Sequence, residues 1–576
     1  MAFGKNLALF LSAAGVALLA IAFLPSFNPF WSSWRKGRQV AEMVVLNATI
    51  YTSDASLPFA AAMAVRDGRI LGIGNYSTIQ GFIGDGTHKL NLNGKVVLPG
   101  FIDSHVHLIF GGLQLMRVKV GGIRNKEDFV SKVEEAVKEK SPGQWILGGG
   151  WNIDLWGGGY PEASWLDGIS PQNPVWLSRM DGHMGVANSL ALKIAGITRD
   201  TLDPVGGAIT KNSNGEPNGL LVDSAMKLVL SKIPEVSVDE TRAALFLANR
   251  HALLHGVTAM VDMGRFFPGA SVEDSWQDLS EVYEWADSLG KMMARVYLFF
   301  PMATWSQLAE LIREKGRRLS QWIYLGGVKA FADGSLGSNS ALFHEPYEDD
   351  PSNNGIQIVD IDWLANATLH SDKSGLQVAI HAIGDKANDM VLDMYRSVIS
   401  VNGVRDRRFR IEHAQHLLPS TASRFGQETV IPSVQPDHML DDAGAAEKKI
   451  GTKRALEGSY IFQSLLDGGA PLAFGSDWPV TDINPLRAIK TAIYRKPPGW
   501  DHAWIPTERI SLDDALKAHT ISAAHACFLD QELGSLSPGK YADFVVLPAN
   551  SWAEFAQNPS DFVSATYVNG KQAYPF

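Results

Sequence analysis

The central part of the chain alternates short apolar runs with longer stretches of mixed polarity. The runs are rich in β-branched and aromatic residues, which favour strands, and the stretches between them are long enough for helices. We predict eight strands, at 101–107, 257–263, 295–300, 327–332, 378–381, 409–413, 429–434 and 472–476. Because strands that alternate with helices form parallel sheets, this order predicts an α/β protein with a (β/α)8 barrel similar to a TIM barrel.

Both ends of the chain have a different pattern, of very short β-branched runs separated by Gly, Asn and Asp turns. The runs lie at 43–51, 61–65, 69–73 and 95–98 near one end and at 541–547 and 565–568 near the other. Half-sheets at opposite ends of a chain can pair with each other. We therefore predict one small β-sandwich built from the N-terminal and C-terminal segments.

The interval between the first two barrel strands is long, about 112–256, and we predict that it is an insertion. Within it, Asn214-Gly215 predicts the turn of a hairpin at 209–221. An insertion after a barrel strand leaves the catalytic end of the barrel, so we expect this one to cover the active site. The tryptophans of the insertion either line an apolar pocket or pack against one another.

The chain therefore divides into an N-terminal segment (1–40), a first part of the sandwich (41–98), the barrel with its insertion (99–534) and a second part of the sandwich (535–576). Residues 7–24 are uncharged and apolar, which is close to the shortest length that spans a bilayer. Aromatic residues and Arg35, Lys36 and Arg38 follow, as at an interfacial anchor. We expect a single-pass membrane anchor with the body on the cytoplasmic side. A cleaved secretory signal, ending near Ala20-Ile21-Ala22, is the alternative.

The composition limits which partners and which metal ligands we expect. Of the 576 residues 45% are hydrophobic and 19% are charged, and the net charge is -10. Lys and Arg form no tract, so nucleic acid is not an expected partner. The single cysteine, Cys527, excludes intrachain disulfides and thiolate clusters, so a metal would need His, carboxylate or an unusual ligand. The oligomeric state is not predicted.

Two histidines end the first predicted strand, in the segment Pro99-Gly100-Phe101-Ile102-Asp103-Ser104-His105-Val106-His107. Alternate residues of a strand share a face, so His105 and His107 can present two imidazoles to one metal ion. Taken alone, the pair could equally be two histidines that end a strand by chance.

The ends of four later strands each supply a further side chain that can bind a metal, namely Lys329, His381, His413 and Asp477. An ammonium in the apolar strand of Lys329 is costly to bury, so it either pairs with a carboxylate such as Asp333 or is carboxylated by CO₂ to an anionic ligand. Each histidine could singly be a core residue, and Asp477 could be a helix cap. Their order along the strands favours a shared metal site, at which Asp477 can also accept a proton.

Two further histidines are candidates for substrate binding. His183 follows an Asp-Gly turn in the insertion, where it either leans over the site or lies on the surface. His438 follows the seventh predicted strand, where it either faces the substrate or takes no part in binding it.

Several segments together resemble the amidohydrolase superfamily, specifically its amidohydrolase-3 branch, which includes enzymes similar to N-substituted formamide deformylase. The segments are LPGFIDSHVHL, DGHMGVANSLAL, VKAFADGSLGS, HAIGDKA, RIEHAQ, SVQPDH, LAFGSDWPV and GSLSPGKYADFVVL, and the resemblance runs from about residue 43 to the C-terminus. The chain is also similar to plant proteins of far-red light signalling, which would imply an endoplasmic reticulum or perinuclear membrane.

The resemblance implies one or two divalent ions, commonly zinc, on His105, His107, His381, His413 and Asp477, with carboxylated Lys329 as a bridging ligand. It also implies hydrolysis of a small-molecule amide or formamide, a C–N bond outside peptides, by metal-activated water, with Asp477 as the proton carrier. The alternative is a membrane-tethered signalling or scaffold protein that keeps the hydrolase fold with little turnover. Fold and metal site do not choose among amides, cyclic amides, bases and esters as substrates.

Overall fold

Eight parallel strands form the central sheet of the computed structural model, which describes residues 40–156, 159–179, 184–204, 207–266 and 271–576. In chain order, and in the order of their pairing, they are β1 (Phe101–Val106), β2 (Val257–Asp262), β3 (Arg295–Pro301), β4 (Ile323–Phe331), β5 (Gln377–Ala382), β6 (Arg410–His413), β7 (Ile431–Val434) and β8 (Ala473–Phe474). Each lies at a run predicted from the sequence.

The sheet closes on itself beyond the end of β8. Val106 and Trp478 form a parallel bridge. The amide of Asp477 donates to the carbonyl of His105 at 2.7 Å, and the amide of His107 donates to the carbonyl of Trp478 at 2.9 Å. The predicted TIM-like barrel is therefore confirmed, with its first and last strands joined beside the predicted metal ligands.

Helices follow the barrel strands and cover the sheet. The longer ones show why they form: Val238–Leu254 begins with a capping box between Ser237 and Glu240, and Pro485–Tyr494 begins with Asn484 as its cap and Pro at its first position. The α-helices of the barrel are Leu108–Leu115, Val238–Leu254, Glu273–Gln277, Glu284–Ser288, Trp305–Lys315, Ile361–Lys373, Asp385–Asn402, Ala422–Gln427, His438–Asp442, Ala446–Ile450, Thr452–Gly458, Phe462–Asp467, Pro485–Tyr494, Leu512–Ala518 and Ile521–Ala526.

The insertion between β1 and β2 forms a sheet of its own. Its strands are Val118–Lys119, Ile146–Trp151, Val175–Arg179, Met184–Ala187, Gly207–Lys211 and Pro217–Asp223, and its α-helices are Lys126–Lys138, Ala163–Leu166, Ser189–Ile194 and Lys227–Leu230. The last two strands pair antiparallel, which confirms the predicted hairpin. Trp156 and Trp165 pack edge-on against Phe129, with ring centroids 5.8 and 5.9 Å apart. These tryptophans therefore serve the core of the insertion.

The two ends of the chain meet in a pair of further sheets. One sheet contains Met43–Leu46, Ala62–Arg66, Arg69–Gly74 and His88–Asn91; the other contains Thr49–Tyr51, Phe59–Ala60, Val96–Pro99, Phe544–Val546, Ala565–Val568 and Lys571–Tyr574. Apolar side chains of both sheets, such as Val45, Met63, Val97 and Phe544, are buried in one cluster. The predicted β-sandwich from both termini is confirmed, while the domain boundaries stay predictions.

The predicted membrane attachment is wrong for the part of the chain that the structure describes. No helix there is both long and apolar enough to cross a bilayer. The longest, Asp385–Asn402, carries charged residues such as Asp389, Asp393 and Arg396, which are costly in a bilayer. The predicted anchor at 7–24 and the alternative secretory signal lie outside the described residues. The membrane partner and the endoplasmic reticulum or perinuclear location are therefore not retained.

Candidate active site

One cavity of about 370 Å³ opens at the carboxyl ends of the barrel strands. Seven of the eight candidate residues line it, namely His105, His107, Lys329, His381, His413, His438 and Asp477. The eighth, His183, lies outside the described residues. Among the described residues, the cavity walls come from the barrel strands and the loops after them and not from the insertion. The expectation that the insertion covers the site therefore finds no support in its described residues.

The end of strand β1 aims His105, and His107 directly after the strand, at the carboxylate that follows β8. The Nε2 atoms of His105 and His107 lie 3.4 and 3.3 Å from Asp477 Oδ1. Asp477 has a φ of +56°, in the left-handed region that L-residues seldom adopt, so its backbone turns out of the strand direction here. The approach needs Gly475, because a Cβ atom at that position would lie 2.5 Å from the amide nitrogen of His105.

Strands β5 and β6 supply the next two histidines. The ring centroids of His413 and His381 are 4.5 Å apart, and those of His413 and His105 are 5.0 Å apart. His413 also has a positive φ, +79°, at the last position of β6. One nitrogen each of His105 and His413 and one oxygen of Asp477 lie within 4.8 Å of one another, which is close enough for one ion to contact all three.

Three of these imidazoles are held through Nδ1, which leaves Nε2 for the cavity. His105 Nδ1 donates to Glu412 Oε2 at 2.6 Å, His107 Nδ1 to the carbonyl of Gly264 at 2.6 Å, and His413 Nδ1 to Gln435 Oε1 at 2.8 Å. His381 is held the other way round, because its Nε2 donates to the carbonyl of Gly334 at 2.9 Å. A carbonyl or carboxylate behind the ring is the usual arrangement for a histidine that binds metal.

Buried polar atoms at this site lack hydrogen-bond partners. They are His105 Nε2, His438 Nε2 and Asp477 Oδ1, and such atoms are costly unless something binds them. Burial, followed by the nearby Lys329 ammonium, lowers the pKa of His105 to about 4, which keeps the ring neutral as a ligand must be. Burial alone would raise the pKa of Asp477, but the surrounding imidazoles hold it well below its ordinary value. The donor set therefore fits a divalent cation.

Lys329 lies at the base of the cavity and is 1% exposed. Burial lowers the pKa of its amine to about 8. Its Nζ lies 4.8 Å from the centroid of the Phe331 ring. It forms no direct ion pair with a carboxylate of the described residues, but the negative charges of Glu412 and Asp477 oppose the effect of burial on its pKa. Asp333, the partner considered from the sequence, instead accepts from the backbone amides of Leu342, Ile383 and Gly384. The structure therefore does not pair Lys329 with Asp333.

His438 also lines the cavity. Its Nε2 is 3.7 Å from Asp477 Oδ2, and its Nδ1 is 3.3 Å from the amide nitrogen of Gln415. Gln415 also contacts the hydroxyl of Tyr460, which donates to Asp442 at 2.5 Å. A chain of hydrogen bonds thus holds His438 beside Asp477.

Sequence reasoning missed the groups that hold the ligands. Glu412 is completely buried beside Arg410, whose Nε donates to Glu412 Oε1 at 2.7 Å. Asp103 accepts from the amides of His105 and Ser476 at 3.1 and 3.0 Å. The available signal was a charged residue inside an apolar strand, since a buried charge requires a partner. Which group would be that partner depends on contacts across the barrel.

Comparison with known proteins agrees with this architecture. Residues 90–574 match the model of the amidohydrolase family, Amidohydro_3. The chain is 61% identical to Protein LONG AFTER FAR-RED 3 of Arabidopsis thaliana, over 98% of both chains. It is 26% identical to N-substituted formamide deformylase of Arthrobacter pascens, over 88% of this chain and 94% of that one.

A solved structure also resembles most of the chain. It is an uncharacterized metal-dependent hydrolase from Pyrococcus furiosus, 28% identical, with a TM-score of 0.70 over 88% of this chain and 99% of that one. The family match covers most of the chain and includes every strand of the barrel. The chain therefore belongs to the amidohydrolase family and has the fold of its metal-dependent hydrolases.

Proposed function

We propose that the protein hydrolyses a non-peptide C–N bond in a small-molecule amide or N-substituted formamide, with a divalent metal, zinc, as its cofactor. The observation that carries this proposal is the meeting of four histidines, Asp477 and Lys329 in one cavity. Nitrogen and carboxylate donors of this kind are preferred by zinc.

In this proposal the ligands to one or two ions are His105, His107, His381, His413 and Asp477. The amine of Lys329 would add CO₂ and release a proton, and the resulting carbamate would supply oxygen ligands to the cation. Such a cation, when bound, polarises a carbonyl oxygen and lowers the pKa of water. The buried amine of Lys329 supports its role as a ligand, because an unmodified ammonium is costly to bury without a direct ion pair.

Asp477 is the proposed proton carrier. Its Oδ1 faces His105 and His107, and its Oδ2 faces His438. The carboxylate therefore borders both the candidate metal ligands and the candidate substrate-binding residue. It takes a proton from the attacking water and passes it to the leaving nitrogen. His438 binds the substrate beside it, with Nε2 as the free nitrogen. His183 stays a second candidate for this contact.

The cavity walls support a substrate with an apolar part. Phe331, Leu336, Ile383 and Val480 line the space beside the polar cluster, and they suit an apolar substituent on the amide nitrogen. The relative named N-substituted formamide deformylase supports the same class of bond.

The test is hydrolysis of a panel of N-substituted formamides and amides by the full chain. We expect activity that a chelator abolishes and zinc restores, and that falls by at least roughly a hundredfold in Asp477→Asn because the proton carrier is lost. Full activity of metal-free protein would contradict the proposal. The signalling or scaffold alternative predicts that a biological role survives Asp477→Asn unchanged.

A further inference from the structure

A second group of metal-binding side chains lies outside the candidate active site. One nitrogen each of His251 and His255 and one oxygen of Asp482 lie within 4.8 Å of one another. The two histidines are half-buried and Asp482 is exposed. We propose that these three residues form an accessory divalent-metal site, of the zinc class, that joins the helix Val238–Leu254 to the segment after β8.

The spacing of the two histidines suits a shared ion. His251 lies in the last turn of the helix and His255 directly follows its end, four positions later, so the two rings lie on one side of the helix. His255 Nδ1 donates to the carbonyl of His251 at 2.9 Å, which leaves Nε2 of His255 as its free nitrogen. The ring centroids are 4.7 Å apart.

Asp482 supplies the negative charge that would partly neutralise the bound cation. Arg487 competes for it only weakly, because Arg487 Nε lies 3.0 Å from Asp437 while its Nη1 lies 3.9 Å from Asp482. Ligands of a tetrahedral zinc ion are roughly 3.4 Å apart, given Zn–N distances of about 2.1 Å. The exposed Asp482 side chain can close the remaining distance by rotation. Two imidazoles and one carboxylate leave a fourth position for water.

The position of this group connects it with the candidate active site. Asp482 lies five positions after Asp477. The ring of Trp478, the residue directly after Asp477, contacts the ring of His251, with their centroids 5.4 Å apart. The cavity beside His251 and Asp482 shares Asp441, Val480 and Thr481 with the active-site cavity. An ion here would therefore hold one wall of the active site to the helix.

The test is zinc stoichiometry of the full chain by equilibrium dialysis at low micromolar free zinc, followed by elemental analysis. We expect His255→Gln and Asp482→Asn each to bind one equivalent less than the unmodified protein, since losing a direct ligand weakens affinity by more than the roughly tenfold lost with outer partners. His502→Gln is the matched control, because His502 is exposed and contacts Asp501 away from the group.

A second measurement tests whether zinc at this group stabilises the fold. Added zinc should raise the thermal midpoint of His105→Ala, in which a ligand of the candidate active site is lost, and this rise should be smaller when Asp482→Asn is added. Asp482 is exposed, so its substitution should leave folding intact. Unchanged stoichiometry and an unchanged zinc-dependent midpoint in both variants would overturn the proposal. An equal loss of bound zinc in His502→Gln would also overturn the proposal, because it would show that zinc binds generally to surface histidines.

Discussion

At the scale of single residues, candidate ligands of the active site are held in place by groups on other strands, as His105 is by Glu412. His105, His107, Lys329, His381, His413 and Asp477 are recognisable because each is a polar residue at the end of an apolar run. Glu412, Gln435 and Asp103 act through contacts between different strands, such as Glu412 with His105. No local pattern encodes those contacts, so only the folded barrel reveals them.

Glu412→Gln tests the support of His105. The carboxylate behind the ring makes His105 a stronger ligand and neutralises the buried Arg410. We expect metal affinity to fall about 10–100-fold and the free energy of unfolding to fall by about 3 kcal/mol or more. Metal titration and urea unfolding measure the two effects. Glu428→Gln is the control, since Glu428 pairs with Arg424 elsewhere. Equal effects in both variants would mean that Glu412 has no specific role in supporting His105.

His416 should make the fold sensitive to acid. Burial, followed by the Arg454 guanidinium, lowers the pKa of His416 to about 3, whereas the unfolded chain has a histidine pKa of about 6.5. Between these values the unfolded state takes up a proton that the folded state does not, so stability falls as the pH falls. In metal-free protein, His416→Gln should reduce this dependence by up to about 1.4 kcal/mol per pH unit between pH 6 and 4. Parallel stability profiles of both proteins would refute the assignment.

At the scale of elements, apolar runs located all eight barrel strands but not where the last one stops. β8 is only Ala473–Phe474, shorter than the predicted 472–476. The chain then leaves the strand direction at Asp477, with its left-handed backbone, and bonds to the carbonyl of His105. Hydrophobicity does not record such a turn. The expectation that the insertion covers the active site also rested on general barrel geometry. The described apolar residues of the insertion instead pack against one another.

Gly475→Ala tests the close approach of β8 to β1. The added Cβ would lie 2.5 Å from the amide nitrogen and 2.8 Å from Cβ of His105, so both strands must shift. We expect a loss of about 1–3 kcal/mol in the free energy of unfolding, together with reduced metal content. Gly444→Ala is the control, because nothing lies within 4 Å of its added Cβ. If Gly475→Ala kept the stability and metal content of the unmodified protein, the chain at Gly475 would lie less close to His105 than the structure shows.

At the scale of the whole molecule, the sequence predicted the barrel and the sandwich from two termini, because each has its own periodicity. It did not predict how the two are joined. Arg295, at the start of β3, is completely buried and donates to Asp543 and Asn569 of the C-terminal part of the sandwich. The membrane prediction rested on residues 7–24, which lie outside the described residues, and no helix of the described part could cross a bilayer.

Asp543→Ala should weaken the joint between barrel and sandwich. It leaves the Arg295 guanidinium buried without its carboxylate, which costs about 3–5 kcal/mol. Urea unfolding should show this loss, while Asp561→Ala, at an exposed ion pair with Lys490, should change stability by less than about 1 kcal/mol. An Asp543→Ala protein as stable as the control would mean that the joint contributes little.

The central claim, that a divalent metal is bound by side chains from several barrel strands, is tested most directly by anomalous scattering at the zinc edge from crystals of zinc-loaded protein. The account predicts one or two peaks within about 2.3 Å of His105 Nε2, His413 and Asp477. Well-ordered side chains at these positions with no peak among them would contradict it.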